Sequence, residues 1–245
     1  MIEAVTFDLW HTLIFEPDEA FIKRTNMIRM RGIWRTLNEL GYDISYDELQ
    51  VAFHDQDILL ERIWSMDRDV GERTQLKMLF DCLGIKKGRR ELYHAVKGPY
   101  REALLKNMPA LSEGVSHTLE TLKDMGYALG IISNSGRTSG RGMRMVMEKL
   151  GVLHYFDVIT FSNEMRIRKP QSNIFTRTLG IIGVRPRNAA HVGDDVVNDV
   201  SAARKVGMKG ILYDENGSGR MGRKVDAVIS TFDELPEALR NIGGI

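Results

Sequence analysis

Short apolar runs that stop at a chemically pointed residue constrain this chain most. AVTFDLW (4–10), ALGIISNS (128–135) and AAHVGDD (189–195) are brief, apolar and bounded by polar or Gly signals. FDVITFS (156–162) is a fourth such run; KGILYDE (209–215) and DAVIST (226–231) are weaker ones. Helix-type spacing fills 114–126, 140–151, 170–181 and 198–208 between them. Continuous apolar strands alternating with helices predict an α/β fold. Its centre is a doubly wound parallel sheet, Rossmann-like, covered on both faces. Sheets of that kind bind ligands at the carboxyl ends of their strands, where the winding direction switches.

Segment 16–108 breaks the alternation. It carries helical spacing throughout and no convincing strand. Asp47 and Glu48 after Ser45 mark a helix start, and Gly84 marks a stop. The expectation is a helical cap over 16–108, inserted into a core formed by 1–15 and 109–245. The Gly-rich stretch DENGSGRMGRK (214–224) matches no phosphate-loop spacing and reads as a surface turn.

Apolar residues make up 43% of the chain, enough for a sizeable core. The 34 basic and 33 acidic residues nearly cancel, so charge predicts neither a nucleic-acid nor a membrane partner. One cysteine, Cys82, excludes an intrachain disulfide and a cysteine-rich zinc site, and its apolar surroundings predict a buried helical position. No apolar run is long enough to span a bilayer, and no signal-peptide pattern opens the chain. A cytoplasmic location is the expectation.

The strand ends carry the chemistry. The first run meets Asp8, the second Ser133 and Asn134, and the third Asp194 and Asp195, with Asp199 shortly after. Lys169, in RIRKP (166–170), follows the fourth run. Parallel strands would gather these groups at one edge. Clustered carboxylates repel each other unless a cation compensates, and Mg²⁺ suits an oxygen-rich set that also meets phosphate. Any one of these residues is common as a cap or turn residue; all of them in this order are not.

The order resembles the haloacid dehalogenase-like hydrolases, a superfamily made mostly of phosphatases. FDLWHTL, IISNS, RKP and HVGDDVVNDVSAARKVG carry the resemblance and span the core. It implies Asp8 as the nucleophile and Lys169 as the catalytic cation. It implies Ser133, Asn134, Thr12 and Lys169 as the substrate-binding set. Metal ligation falls to Asp8, the Trp10 backbone carbonyl and Asp194, supported by Asp195 and Asp199. The implied reaction is Mg²⁺-dependent hydrolysis of a phosphate ester or anhydride of a small metabolite, through an aspartyl-phosphate.

One position departs from the pattern. Family phosphatases place a second Asp two residues after the nucleophile, as acid and base; here that residue is Trp10. An indole cannot do this work. Four alternatives stay open. His11 could stand in as the acid, although a loop role suits it better. The chain could be a 2-haloacid dehalogenase, whose halide leaves without protonation, or a phosphonate hydrolase using a cap lysine such as Lys23. It could also be an inactive ligand-binding member. In the cap, Lys23, Arg24, Arg31, Trp34 and Trp64 are expected at packing and surface positions.

Overall fold

The computed structural model describes residues 1–215, 217 and 225–243. Most of the Gly-rich stretch 214–224 therefore lies outside the described residues. The chain opens with β1 (Ala4–Phe7) and a short β2 (Ile14–Phe15). Four helices follow: α1 (Phe21–Glu39), α2 (Tyr46–Trp64), α3 (Glu72–Cys82) and α4 (Arg89–Glu102). A 3₁₀ turn (Ala103–Lys106) leads to β3 (Ala110–Leu111), which pairs antiparallel with β2, Ile14 opposite Leu111. The four helices are thus bracketed by a two-stranded ribbon.

The chain then runs through α5 (Val115–Asp124), β4 (Ala128–Ser133), α6 (Gly140–Lys149), β5 (Val158–Phe161), α7 (Ser162–Met165) and α8 (Ser172–Ile182). After β6 (Ala189–Gly193) come a π-helical stretch (Val196–Ser201), α9 (Ala202–Lys205), β7 (Lys209–Tyr213), β8 (Ala227–Ile229) and α10 (Leu235–Gly243). All six strand runs read from the sequence lie in one sheet, ordered β5-β4-β1-β6-β7-β8 and parallel throughout. Ala4 pairs with Ala128 on one side and Ala189 on the other. The chain winds outward to β5, returns, and winds outward to β8, so the switch falls at β1. Both faces of the sheet are covered, by Val5, Phe7, Leu129 and Ile131 with their neighbours on one side and Ala4, Ile132, Phe175 and Leu179 on the other. Continuous apolar strands are what two covered faces require.

The helical segment has a core of its own, built on Ile33, Leu37, Phe53, Leu79, Phe80 and Tyr100. In α1 the buried residues Phe21, Thr25, Arg29, Ile33 and Leu37 recur every four positions, one face of a helix. Ser45 caps α2 in a full capping box with Glu48. Gly84 adopts φ 69°, a left-handed conformation that stops α3 without Cβ strain. Cys82, expected buried, is half-buried at the end of α3; burial and nearby Asp55 raise its thiol pKa, which opposes a reactive thiolate.

A buried carboxylate ties the helical segment to the sheet core. Glu72 of α3 accepts from Arg101 at 2.6 and 2.8 Å and from Ser139, the N-cap of α6, at 2.8 Å. Burial pushes the Glu72 carboxyl up, but Arg101 and Ser139 outweigh it and hold it below the usual range. A depressed folded pKa contributes stability above the unfolded value and loses it as pH falls through the folded one. Glu72→Gln should therefore cost about 3 kcal/mol at neutral pH, because Arg101 is left half-buried without a counter-charge. The gap from wild type should close in the acid range below the ordinary value of 4.5. Urea unfolding of both proteins across pH measures it.

Candidate active site

The parallel register delivers four segments to one edge. β1 hands over to Asp8, whose amide donates to Val192 O of β6 at 2.9 Å. β4 ends on buried Ser133, and β6 ends on Gly193 ahead of Asp194. Lys169 enters from the connection between α7 and α8. Its Nζ lies 2.7 Å from Asp8 Oδ1 and 2.5 Å from Asp199 Oδ1, with only 2% of its side chain exposed.

Asp199 is held from several directions. It accepts from the Asp195 amide at 3.1 Å, and His191 Nε2 lies 3.1 Å from its Oδ1. Because an ionised Asp199 can only accept, Nε2 carries the proton, and the Thr6 hydroxyl meets the other ring nitrogen at 2.8 Å. Thr6, His191, Asp199, Lys169 and Asp8 form one buried polar chain. Gly193 makes room for it, since a Cβ there would collide with the Asp199 carboxylate. Gly193→Ala should destabilise the protein by about 1–3 kcal/mol through overpacking and lower turnover by moving Asp199. Thermal unfolding and kcat check this together.

Asp8, Asp194 and Asp199 each offer an oxygen within 4.8 Å of the others. One lysine cannot neutralise three carboxylates, and their protonation equilibria divide accordingly. Burial raises Asp8, opposed by Lys169 and reinforced by the charge of Asp199. Burial, Asp8 and Asp199 push Asp194 up to about 6. Asp199 moves the other way, to about 2, because Lys169 and His191 outweigh its burial. Lys169 stays charged: burial opposes this, but Asp199 and Asp8 raise its pKa. The surplus negative charge therefore sits on Asp8 and Asp194. An all-oxygen set with uncompensated charge fits a hard divalent cation such as Mg²⁺.

Several expected site residues make other contacts among the described residues. Asp195 does not join the acid cluster; its carboxylate caps the π-helical stretch, accepting from Val197 N at 2.7 Å and Asn198 N at 2.9 Å. Thr12 is buried and does not line the neighbouring cavity; its hydroxyl donates to Asp194 Oδ1 at 3.5 Å. Asn134 reaches the cavity wall but spends its side chain on Lys169, accepting from its amide at 2.8 Å and donating to its carbonyl at 3.0 Å. It positions the lysine. Trp10 lines the cavity and packs on Phe21, ring centroids 6.3 Å apart. His11 points outward with φ 59°, its ring 3.4 Å from Glu16, which suits the loop role. Lys23 is exposed on α1 and does not line the cavity.

The cavity encloses about 400 Å³ between the helical segment and the sheet edge. Trp10, Ser133 and Asn134 form its lower wall; Asn26, Arg29 and Asp57 face them from the helices. Arg29, Arg137 and Arg168 are residues that the sequence reading passed over. Arg24 and Trp34, which it named, lie outside: Arg24 pairs with exposed Asp18, and Trp34 donates to Ile44 O. The four-residue spacing of Arg29 with Phe21, Ile33 and Leu37 was the available signal. His191 carried one too, as the polar residue inside an apolar strand.

The chain is similar to several known proteins. The chain is 28% identical to the glyceraldehyde 3-phosphate phosphatase of Methanopyrus kandleri, over 97% of this chain and 92% of that protein. The crystal structure of a HAD phosphatase from Thermococcus onnurineus superposes with a TM-score of 0.61 and 27% identity, covering 97% of this chain and 98% of that one. A 2-haloacid dehalogenase from Pseudomonas syringae pv. Tomato DC3000 shares the fold, with a TM-score of 0.73 and 24% identity over 98% and 99% of the two chains. No helix among the described residues is long and apolar enough to cross a membrane. The family sequence profile described as haloacid dehalogenase-like hydrolase matches residues 71–213, more than half of the chain, and with the fold and the clustered acids at its sheet edge this chain belongs to that family.

Proposed function

We propose that the chain is a Mg²⁺-dependent phosphatase that hydrolyses a small phosphorylated metabolite through an aspartyl-phosphate on Asp8. The observation that carries this is the acid cluster: Lys169 counters Asp8 and Asp199, and Asp194 stands beside them with no ion-pair partner among the described residues. The similarity to two phosphatases supports it. Asp8, Asp194 and the Trp10 carbonyl would hold the Mg²⁺, with Asp199 supporting. When bound, the ion supplies positive charge against the phosphoryl oxygens. Asp8 attacks phosphorus in line, and the leaving alkoxide or aryloxide departs. Lys169 and Ser133 steady the oxygens of the transferred group. Water then cleaves the aspartyl-phosphate. Residues 16–108 act as a cap that excludes solvent and sets substrate choice.

Trp10 gives the reading a particular form. With no carboxylic acid at that position, proton transfer to the leaving oxygen is unassisted, so substrates with good leaving groups should turn over best. Trp10→Asp should raise the alkyl-to-aryl phosphate rate ratio by about tenfold or more, since a positioned acid contributes 10² or above. An unchanged ratio would show that a missing acid does not limit the enzyme.

Trp10 also favours a second reading, 2-haloacid dehalogenation, because a halide needs no proton. The three clustered carboxylates favour the first. One panel separates them: aryl, acyl and alkyl phosphates beside a 2-haloacid, each with Mg²⁺ and with a chelator. Hydrolysis of phosphates that the chelator stops is the expected result; halide release indifferent to the chelator would reverse the assignment. The phosphonate reading lacks its amine, since Lys23 is exposed on α1 and does not line the cavity.

A further inference from the structure

Among the described residues, the cavity between cap and sheet holds one arginine that forms no ion pair. Three guanidinium groups line it: Arg29, Arg137 and Arg168. Arg137 pairs with Asp57, and Arg168 pairs with Asp69 at 3.0 Å. Among the described residues, Arg29 has no carboxylate within ion-pair distance, although it is only 2% exposed. Its contacts are neutral: Nε donates to Tyr100 O at 2.9 Å, and the two terminal nitrogens donate to Asn26 Oδ1 at 2.6 Å and Thr138 Oγ1 at 3.0 Å. A guanidinium has five N–H groups, so these bonds leave part of its donor fork uncommitted. Burial pushes Arg29 down to about 10, which keeps it cationic at neutral pH. The remaining charged lining residue, Glu16, faces His11 at 3.4 Å.

Ser135 supplies a second, independent observation. It lies two positions beyond Ser133 on the same wall, and its buried hydroxyl has no hydrogen-bond partner among the described residues. An arginine without an ion pair and an orphaned hydroxyl line one cavity, and each is costly to bury without a partner.

We propose that Arg29 and Ser135 form an anion subsite that selects phosphate monoesters whose leaving group carries a second oxyanion, a carboxylate in the first instance. This rests on the phosphatase reading above and names its substrate class: short phosphorylated organic acids, of a size suited to the roughly 400 Å³ available. The planar guanidinium fork matches a carboxylate, while Asp8 takes the phosphoryl end. Substrates with neutral leaving groups would leave the same charge buried and unpaired.

Matched pairs test the proposal. Wild-type protein with Mg²⁺ is given 3-phosphoglycerate against glycerol 3-phosphate, phosphoglycolate against ethyl phosphate, and fructose 1,6-bisphosphate against fructose 6-phosphate, with p-nitrophenyl phosphate as reference. The expected result is a preference of at least about tenfold in kcat/KM for the carboxylate member of a pair. A preference confined to the bisphosphate would overturn the carboxylate assignment and make the subsite one for phosphate. Equal turnover within every pair, with p-nitrophenyl phosphate hydrolysed, would overturn the subsite and leave the phosphatase reading standing. No turnover of any phosphate would overturn both. Arg29 also ties α1 to Tyr100 and Thr138, so Arg29→Gln risks unfolding; Ser135→Ala removes a hydroxyl with no partner among the described residues and should shrink the preference through KM. If Ser135→Ala and a folded Arg29→Gln, judged by circular dichroism, both keep the wild-type ratio, the preference arises elsewhere and the subsite is wrong.

Discussion

Asp8→Asn should abolish phosphate hydrolysis and leave the fold intact. The carboxamide is no nucleophile toward phosphorus, and removal of a covalent-catalysis residue costs at least about 10⁴ in kcat. Stability should hold because Asp8 is one of two acids sharing Lys169. The lysine keeps Asp199 at 2.5 Å, and Asp199 keeps His191 and the Asp195 amide. Removing Asp8 also relieves repulsion on Asp194, whose carboxyl is pushed up to about 6 partly by that neighbour. The thermal midpoint should therefore match wild type or exceed it. Intact-mass analysis after acid quench of the wild type with an acyl phosphate should show one added phosphoryl group, absent from the variant. Turnover by a folded Asp8→Asn protein would remove residue 8 from the nucleophile role.

The sheet was legible because its strands are buried on both faces. Residues 4–7, 128–133 and 189–193 form short, mostly apolar runs that lack the polar face of an amphipathic helix. Parallel pairing then brings Asp8, Lys169 and Asp194 together regardless of detail, since the carboxyl ends of the strands share one edge. Which oxygen faces which partner was not legible. Asp194 and Asp195 are adjacent, yet one faces the acid cluster and the other caps the next turn. That choice is set by the π-helical stretch at Val196–Ser201, and no local pattern announces it. Thr12 and Asn134 were expected as substrate contacts from the family resemblance alone. Three-dimensional packing instead turns them onto Asp194 and onto the backbone of Lys169. Segment 16–108 was legible as helices but not as the wall of a cavity. Arg137 meets Asp57 across 80 positions, and such a long-range ion pair leaves no periodic trace.

Lys169→Met should have the second large effect, on stability as well as rate. The substitution keeps length and apolar stem but leaves Asp8 and Asp199 buried with no cation between them. Breaking a buried ion pair by removing one partner costs about 3–5 kcal/mol, since the remaining charge is uncompensated. Here two charges are released at once, so the upper part of that range is expected in urea unfolding at neutral pH. Proton uptake offers the protein a partial escape, because Asp8 is already pushed up by burial and would rise further without the lysine. Asp199 stays under the influence of His191, which cannot serve Asp8 as well. The double variant Lys169→Met with Asp199→Asn discriminates. It removes one of the stranded charges, so its loss should fall short of the sum of the two single losses by about 1–3 kcal/mol, the coupling expected of residues in direct contact. Strict additivity would mean that the 2.5 Å pair contributes nothing beyond packing. Activity should be lost in both proteins, because no cation then steadies the phosphoryl oxygens on that side, and restored stability without restored turnover would separate the structural part played by Lys169 from its part in the reaction.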